Sequence, residues 1–567
     1  MFSFSHFTRA SIGLAFLACG ACTGTGPKSA DKPAPQVFYT VTGELALARG
    51  EPRVAALQYA AAAANEADPQ ILKRAAEVTI GTLQPSLTAQ VAARWIALDP
   101  SSLDAQRAAA RAALALFKID EAASHYRVVL LHSPEGADAE FAGLEIELNE
   151  DENIFGVHQL ADRLAAFFPT SQAALRLQGV AALRADDPAA AVRSLTVALA
   201  MDNADAGESG RQARRDLEQG LARARIMTGD VDEPLEAART RLKSDDTPAN
   251  RFDYAVLLMS AERAQAATEE LEILVRDPES KAVALRLLGL VEFQQGHLEA
   301  AAVIFKQLLK TDKFLDDAFY YLGLIEDRNG DAERALRLYA QVQSGENVVP
   351  ALLRAAALLQ TNGAPSAAEE LLDRLIEDEP LRAPAILTAR ARMYAQAGDY
   401  PKAFAVLAKG LSDYPDSVEL RYATASMYED QGQIDAALRE LTQVLKARPM
   451  DPGAQNALGF TLADHSRELP RAHTLIERAY AAAPKNAAIL DSLGWVLFRQ
   501  GRARDALPYL TAAYSDDHDG DIAAHLGEVL WQLGKPEEAE RVWAEAIALD
   551  PDNHLLKSTR KRLRPTN

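Results

Sequence analysis

Apolar residues along most of this chain recur three or four positions apart, in stretches of about 12 to 14 residues, which is the period of an amphipathic α-helix. Short polar turns separate the stretches in pairs, as at residues 328–331, 396–399 and 499–502. Each of these turns contains a glycine, which can adopt the left-handed conformation that ends a helix. The pattern therefore predicts helical hairpins, beginning near Val37 and continuing to the C-terminal region.

The hairpins repeat with a period of roughly 34 residues. Prolines that end helical segments keep the period, at Pro100, Pro134, Pro169, Pro278, Pro380, Pro415, Pro449, Pro484 and Pro551. The first and last of these are 451 residues apart, which is 13 periods averaging about 34.7 residues. An alanine followed four positions later by a large apolar residue recurs in phase, as Ala122 with Tyr126, Ala368 with Leu372, Ala403 with Leu407, Ala437 with Leu441, Ala472 with Ile476 and Ala539 with Trp543. A Leu-Gly pair recurs at 288–289, 322–323, 458–459, 493–494 and 526–527. These small residues predict where the two helices of a hairpin approach closely.

The marks resemble the tetratricopeptide repeat (TPR), most clearly over residues 282–554. The expected fold is all-α: a TPR superhelical solenoid of about 15 helical hairpins, because one hairpin cannot bury its apolar face alone. We divide the array into a degenerate part at 37–201, an irregular repeat or loop at 202–248, and a regular part at 249–560. The pattern blurs in the middle segment. A loop, a change of superhelical pitch or a hinge would each account for it.

The N-terminus has the pattern of a secretory signal. Arg9 precedes an apolar run at 11–18, and small residues and two cysteines follow. The run resembles a bacterial lipobox, so we expect residues 1–21 to be a signal peptide and Cys22 to be the lipidated first residue, with Cys19 as the competing position. An ordinary cleaved signal without lipid is the other interpretation. Residues 22–36 are rich in Gly, Pro, Ser and Lys and predict an exposed linker. Neither cysteine is followed by aspartate, which by the family rule predicts the outer membrane, on its periplasmic face.

Composition argues against two classes of protein, those that bind nucleic acid and those with many membrane spans. The 60 basic and 80 acidic residues give a net charge of -20, which argues against nucleic acid, whose phosphates require clustered Lys and Arg. Mean hydropathy is near zero, which excludes a protein with many membrane spans. The chain's two cysteines, Cys19 and Cys22, both belong to the signal region. If Cys22 carries lipid, no disulfide is expected and packing alone must hold the fold.

Motifs for chemistry are sparse, so we predict no catalytic residues, no metal site and no cofactor. The sequence has no phosphate-binding glycine loop, no HExxH and no GxSxG. The CxxC formed by Cys19 and Cys22 lies within the signal region. His125 and His132 share a helix face but have no third ligand. A calcium loop counted from Asp517, in the acidic run at 515–521, would have Ile522 at the sixth position, where glycine is needed. We interpret all of these as structural or surface residues.

The concave face of the superhelix is the candidate binding surface. Positions just after the Leu-Gly pair, and three before its glycine, face the groove in this architecture. In the C-terminal half they are Tyr320, Tyr422, Asn456, Phe460, Asp491, Trp495, Glu528 and Trp531. Aromatic and polar side chains in a groove suit capture of a peptide or protein element. The alternative is that the aromatic residues pack between neighbouring helices. A cochaperone-type carboxylate clamp is not indicated, because Asn456 has acidic rather than basic neighbours.

The last hundred residues carry a more specific resemblance, over NALGFTLADHSRELPRAHTLIERAYAAAPKNAAILDSLGWVLFRQGRARDALPYLTAAY at 456–514 and DIAAHLGEVLWQLGKPEEAERVWAEAIALDPDN at 521–553. They resemble the C-terminal region of proteobacterial TPR outer-membrane lipoproteins of the LbcA-like family. That resemblance implies an adaptor that binds a periplasmic carboxyl-terminal processing protease and presents peptidoglycan hydrolases to it, touching the membrane through its lipid anchor only. The competing function is a scaffold for envelope polysaccharide or protein export, which uses the same architecture.

Overall fold

A computed structural model describes residues 36–65, 67–201, 208–551 and 553–563 of the 567-residue chain. The described residues form 31 α-helices and two short 3-10 turns, with no strand among them. Fifteen hairpins follow one another, and a last helix covers the C-terminal end. The predicted all-α solenoid of about 15 hairpins is confirmed.

The first eight hairpins are α1 Gln36–Ala48 with α2 Pro52–Asn65, α3 Pro69–Gly81 with α4 Pro85–Leu98, α5 Leu103–Ala115 with α6 Ile119–His132, α7 Ala137–Asn149 with α8 Ile154–Phe167, α9 Gln172–Arg184 with α10 Pro188–Ala200, α11 Glu208–Met227 with α12 Asp232–Ser244, α13 Pro248–Ser260 with α14 Ala264–Leu274, and α15 Lys281–Gln294 with α16 Leu298–Leu308. The others are α17 Leu315–Arg328 with α18 Ala332–Tyr339, α19 Val348–Thr361 with α20 Pro365–Asp378, α21 Ala383–Gln396 with α22 Tyr400–Asp413, α23 Val418–Asp430 with α24 Ile434–Ala447, α25 Pro452–Asp464 with α26 Leu469–Ala482, α27 Ala487–Arg499 with α28 Ala503–Asp516, and α29 Gly520–Gln532 with α30 Pro536–Leu549. The closing helix is α31, His554–Leu563, and the 3-10 turns are Leu309–Thr311 and Pro380–Arg382.

Turn chemistry sets where the helices end. Gly501 has a φ of 82°, and its N–H donates to the carbonyl of Phe498 at 2.8 Å while Arg502 N–H donates to Leu497 at 2.9 Å. This pair of bonds ends the first helix of a hairpin, and glycine adopts the required left-handed backbone without strain. Prolines stop the second helices: Pro484, for example, comes two residues after α26 ends.

Close packing within each hairpin depends on the small residues that the sequence repeats. A Cβ on Gly494 would lie 2.5 Å from Leu510 Cγ, and a Cβ on Gly527 would lie 1.9 Å from Trp543 Nε1. The phased alanines, including Ala539, are fully buried. The two helices therefore approach closely only because one side of the contact has no side chain or a methyl group.

The contacts between neighbouring hairpins place the first helices on the concave side of the solenoid. Several of them pack against the first helix of the next hairpin, as α25 does on α27 and α27 on α29. In this regular C-terminal region, the hairpins' second helices pack mainly against first helices before and after them. Because first helices are closer to one another there, they line the concave inner face of the solenoid.

The segment 202–248, which the sequence marks as irregular, is a hairpin in its described part. Its first helix, α11, has 20 residues, where most helices in this solenoid have 13 or 14, and its second helix, α12, buries only Pro234 and Leu242. The signal and linker predictions, with Cys19 and Cys22, fall outside the described residues. Within the described ranges, no helix combines the length and the apolar character that crossing a bilayer requires.

Candidate functional site

All eight predicted groove residues lie on first helices, namely α17, α23, α25, α27 and α29. They therefore belong to the helices that form the inner face. Their exposure differs: Asp491 and Trp495 are buried, and the other six are partly buried. The structure also brings only some of them together.

Phe460, Asp491 and Trp495 meet around a residue that the sequence analysis did not single out, His525. The rings of Trp495 and His525 stack with centroids 4.0 Å apart, and the Phe460 ring lies 5.9 Å from His525. His525 Nδ1 is 2.9 Å from Asp491 Oδ1 and 3.0 Å from Oδ2. Trp495 Nε1 donates to Asp464 Oδ1 at 3.0 Å. We call Phe460, Asp464, Asp491, Trp495 and His525 the His525 cluster.

In the His525 cluster, neighbouring negative charge and burial shift the pKa of His525 in opposite directions. Burial alone would lower the pKa of His525, because the charged imidazolium is poorly solvated there. The negative charge and hydrogen bond of Asp491, with the more distant Asp464 and Asp521, outweigh it and raise the pKa of His525 above its ordinary value. The cluster thus stabilises a protonated histidine between α27 and α29.

The His525 cluster joins α25, α27 and α29 from within the stack. Trp495 is 5% exposed and Asp491 is 6% exposed, so neither presents a free surface in this structure. Packing between neighbouring first helices accounts for both. Asp491 and His525 are 34 residues apart on the first helices of successive hairpins, three residues before Gly494 and two before Gly527. That spacing between an acidic and a basic side chain is the sequence signal that could have identified His525.

Glu528 and Trp531 lie at the C-terminal end of the inner face. Glu528 Oε2 accepts a hydrogen bond from Arg562 Nη2 at 2.6 Å, which ties α29 to the closing helix α31. Trp531 stacks on Trp543 with ring centroids 5.9 Å apart. The closing helix therefore occupies one of the predicted groove positions itself.

Tyr320, Tyr422 and Asn456 lie apart from the His525 cluster. Tyr320 meets the Tyr321 ring edge-on at a centroid distance of 5.2 Å, and burial raises the pKa of both tyrosines. Tyr422 packs at the edge of the C-terminal core, and burial, with Asp451 nearby, raises its pKa as well. Asn456 Oδ1 is buried and accepts no hydrogen bond from the described residues. These positions keep part of their surface on the inner face.

The N-terminal hairpins touch the C-terminal ones across an edge of the superhelix. Gln84 Nε2 donates to the carbonyl of Asp413 at 2.6 Å. Ser86 donates to both carboxylate oxygens of Asp416, from its hydroxyl at 2.9 Å and from its N–H at 3.1 Å. Arg448 Nη2 donates to the carbonyl of Ala115 at 2.9 Å. We call these contacts the inter-turn seam.

The inter-turn seam shows how many hairpins make up one turn of the superhelix. It joins the second and third hairpins to the ends of the eleventh and twelfth, so one turn takes about nine hairpins. A cleft of about 300 Å³ lies beside it, between Leu116 and Val418. An ion pair between Arg382 and Glu152 adds a further contact between the two turns. The two turns of the superhelix are thereby held together at these hairpins.

The residues considered for metal binding have ordinary structural partners. His125 Nδ1 lies 2.6 Å from Gln106 Oε1, and His132 Nδ1 lies 2.9 Å from the carbonyl of Val128. Asp519, in the acidic run, caps α29 by accepting from the N–H of Asp521 at 2.7 Å. Within the described ranges, no three His, Cys, Asp or Glu side chains come together as a metal site would require.

Comparison with known families finds the tetratricopeptide repeat. One model of that description matches residues 394–459 and 497–563, and a second matches 252–316, 288–347, 353–418 and 461–522. Together they cover more than half of the chain.

Two curated proteins are similar to parts of the chain. A TPR repeat-containing protein of Pseudomonas aeruginosa is 34% identical over 214 residues, which is 38% of this chain and 36% of that protein. The BBSome complex member BBS4 of Bos taurus is 30% identical over 172 residues, 30% of this chain and 33% of that protein. The chain thus matches about a third of the length of each. Among solved structures, yeast Tom70 aligns over 94% of this chain and 99% of its own, at 14% identity and a TM-score of 0.39.

Proposed function

Because the chain belongs to the tetratricopeptide repeat proteins, we propose that it is a non-enzymatic scaffold whose inner face binds protein partners. The observation that carries this proposal is the series of fifteen hairpins in the described residues, whose first helices line a concave face in the regular C-terminal region. Partly buried aromatic residues on that face, such as Tyr320 and Trp531, offer amphipathic contact area of the kind that dominates protein interfaces.

The more specific proposal is an adaptor, lipid-anchored through Cys22 to the periplasmic face of the outer membrane. It binds a carboxyl-terminal processing protease and presents peptidoglycan hydrolases for cleavage. Its support is the signal-like N-terminus and the resemblance of residues 456–553 to LbcA-like lipoproteins. The 34% identity to a Pseudomonas TPR protein agrees with a proteobacterial relative but names no partner.

The mechanism needs no chemistry from this chain. A tether confines the scaffold to a thin layer beside the membrane, and a surface that binds two proteins at once raises the effective concentration of one for the other. The inter-turn seam contributes by holding the inner face in a fixed curvature, so that less ordering is required when a partner binds.

Reconstitution tests this function directly. The rate at which the purified protease degrades a peptidoglycan hydrolase is measured with and without the mature lipidated chain. We expect the chain to accelerate degradation, Tyr320→Ala to reduce the acceleration, and Val303→Ala to leave it unchanged. Val303 is a matched control because it is an exposed apolar residue on a second helix. No acceleration by the unsubstituted chain would contradict the adaptor function, and equal activity of the two variants would remove Tyr320 from the binding surface.

A further inference from the structure

The first helix of the solenoid, α1, is apolar on both sides. One side packs within the hairpin: Ala46 is buried, and a Cβ on Gly43 would lie 2.7 Å from the Tyr59 ring of α2. The other side carries Phe38, Val41 and Leu45, which are 53%, 50% and 50% exposed. Their spacing of three and four residues puts them in one stripe along the helix. We call these three residues the α1 stripe.

The two ends of the solenoid are built differently. At the C-terminal end, α31 packs on α29, burying Leu556 completely and turning Lys557 and Lys561 outward. A repeat array needs such a polar cap, because its end hairpins otherwise expose an apolar face. At the N-terminal end the α1 stripe itself is the outer surface of the described chain. Glu44 is the one charged residue among the thirteen of α1.

The size of the α1 stripe limits what can cover it. Three half-exposed side chains offer far less than the roughly 800 Å² per partner that a stable protein interface buries. A surface this small contributes effectively only where something else already holds the two sides together. A covalent lipid does so, and a bilayer presents an apolar layer of unlimited area.

We propose that the α1 stripe inserts into the interfacial layer of the bilayer and seats the N-terminal end of the solenoid on the membrane. This inference rests on the lipid anchor at Cys22 in the proposed function. Thirteen residues separate Cys22 from Gln36, and a fully extended chain of that length spans at most about 45 Å. Helix α1 is thus the part of the solenoid held nearest the anchor. A helix with Phe, Val and Leu on one side is the kind that lies in the headgroup region.

Charge close to α1 is compatible with a lipid surface, although the whole chain is acidic. Arg49 directly follows the helix and is exposed, as are the acidic Glu44 and Glu51 on either side of it. Arg53, in the first turn of α2, donates to Gln84 Oε1 at 2.7 Å. The formal charges of these four residues sum to zero, so the apolar side chains of the α1 stripe carry the contact with the bilayer. Seating α1 in this way orients the solenoid: its first hairpin meets the membrane, and the later hairpins extend into the periplasm.

An environment-sensitive fluorophore on a single cysteine tests the proposal in the lipidated chain. The label is placed at Val41→Cys, and at Val303→Cys as the matched control, because both are exposed valines on helices. The unsubstituted chain serves as the labelling blank. Each protein is bound to vesicles of phosphatidylethanolamine and phosphatidylglycerol, recovered by flotation, and measured with and without brominated lipids as quenchers.

We expect the label at position 41 to emit at shorter wavelength on vesicles and to be quenched by brominated lipid. The label at position 303 should keep the emission it has in water and should not be quenched. Adding Phe38→Ser and Leu45→Ser should abolish the shift without changing helix content. If the chains float with the vesicles but the label at position 41 keeps its emission in water, the inference is overturned while the lipid anchor at Cys22 is still supported. Chains that do not float show that the anchor is wrong, and the inference falls with it. A shift to shorter wavelength that an added protein causes and lipid does not would identify a protein partner and overturn the membrane proposal.

Discussion

Gly527 is the position where one methyl group should test the packing of the whole repeat. A Cβ there would lie 1.9 Å from Nε1, 2.3 Å from Cε2 and 2.7 Å from Cδ1 of Trp543. Trp543 is fully buried and stacks on Trp531, so its ring has no space to move into. Overpacking of this kind costs about 1–3 kcal/mol, occasionally more, and three contacts this short favour the upper part of that range.

The higher helix propensity of alanine partly offsets the cost of the clash, so a glycine without close neighbours is the appropriate control. Alanine is better than glycine inside a helix by about 1 kcal/mol. At Gly143, in the middle of α7, a Cβ meets nothing within 4 Å, so Gly143→Ala should stabilise by up to about 1 kcal/mol. Gly527→Ala should instead destabilise by about 1–2 kcal/mol after the same gain is subtracted. The two substitutions are chemically identical and should have opposite signs.

Hydrogen exchange is the assay, because a long repeat array need not unfold in one step. Protection of amides in α29 and α30 should fall in Gly527→Ala, while protection in α7 should rise slightly in Gly143→Ala. In a Trp543→Ala background, which removes the obstructing ring, Gly527→Ala should no longer destabilise. Equal and favourable effects of the two glycine substitutions would refute the close-packing argument.

Three further predictions concern the His525 cluster and the inter-turn seam. Because the folded-state pKa of His525 is raised, its ion pair with Asp491 stabilises the fold fully below the unfolded pKa of about 6.5, and this stabilisation is lost as pH rises through the folded pKa. His525→Asn should therefore flatten the pH dependence of amide hydrogen exchange in α29. An unchanged pH dependence in this variant would contradict the prediction. Trp495→Ala should cost about 3–5 kcal/mol and lower the thermal stability of the C-terminal hairpins, since the ring is buried; an unaltered melting curve would mean that the ring is on the surface. Ser86→Ala combined with Asp416→Ala should increase the radius of gyration in small-angle scattering with helix content unchanged. An identical scattering profile would show that the Ser86–Asp416 bonds are not needed to hold the two turns together.

The hairpin architecture could be predicted because its causes are local and repeated. A glycine such as Gly494 and an alanine such as Ala539 recur in phase, since each hairpin solves the same packing problem with the same small residues. The prolines after the second helices recur for the same reason. A physical requirement that returns in every hairpin becomes visible as a period in the sequence.

The inner face could be predicted less well. Whether a ring on a first helix faces the groove or the next helix depends on small rotations between hairpins, and the buried Trp495 shows that sequence position alone does not decide it. The inter-turn seam left no signal at all. Its partners belong to hairpins far apart in the chain, and two of its acceptors are the backbone carbonyls of Ala115 and Asp413, which any residue would supply.

Co-purification from the cell envelope tests the central claim most directly. The mature lipidated chain is isolated with its bound proteins from detergent-solubilised envelope, beside an unrelated lipoprotein as control, and the bound proteins are quantified by mass spectrometry. The scaffold function proposed for this solenoid predicts enrichment of a periplasmic carboxyl-terminal processing protease together with peptidoglycan hydrolases. Enrichment of polysaccharide or protein export components, with neither protease nor hydrolase, would contradict the adaptor function and assign the same architecture to the export machinery.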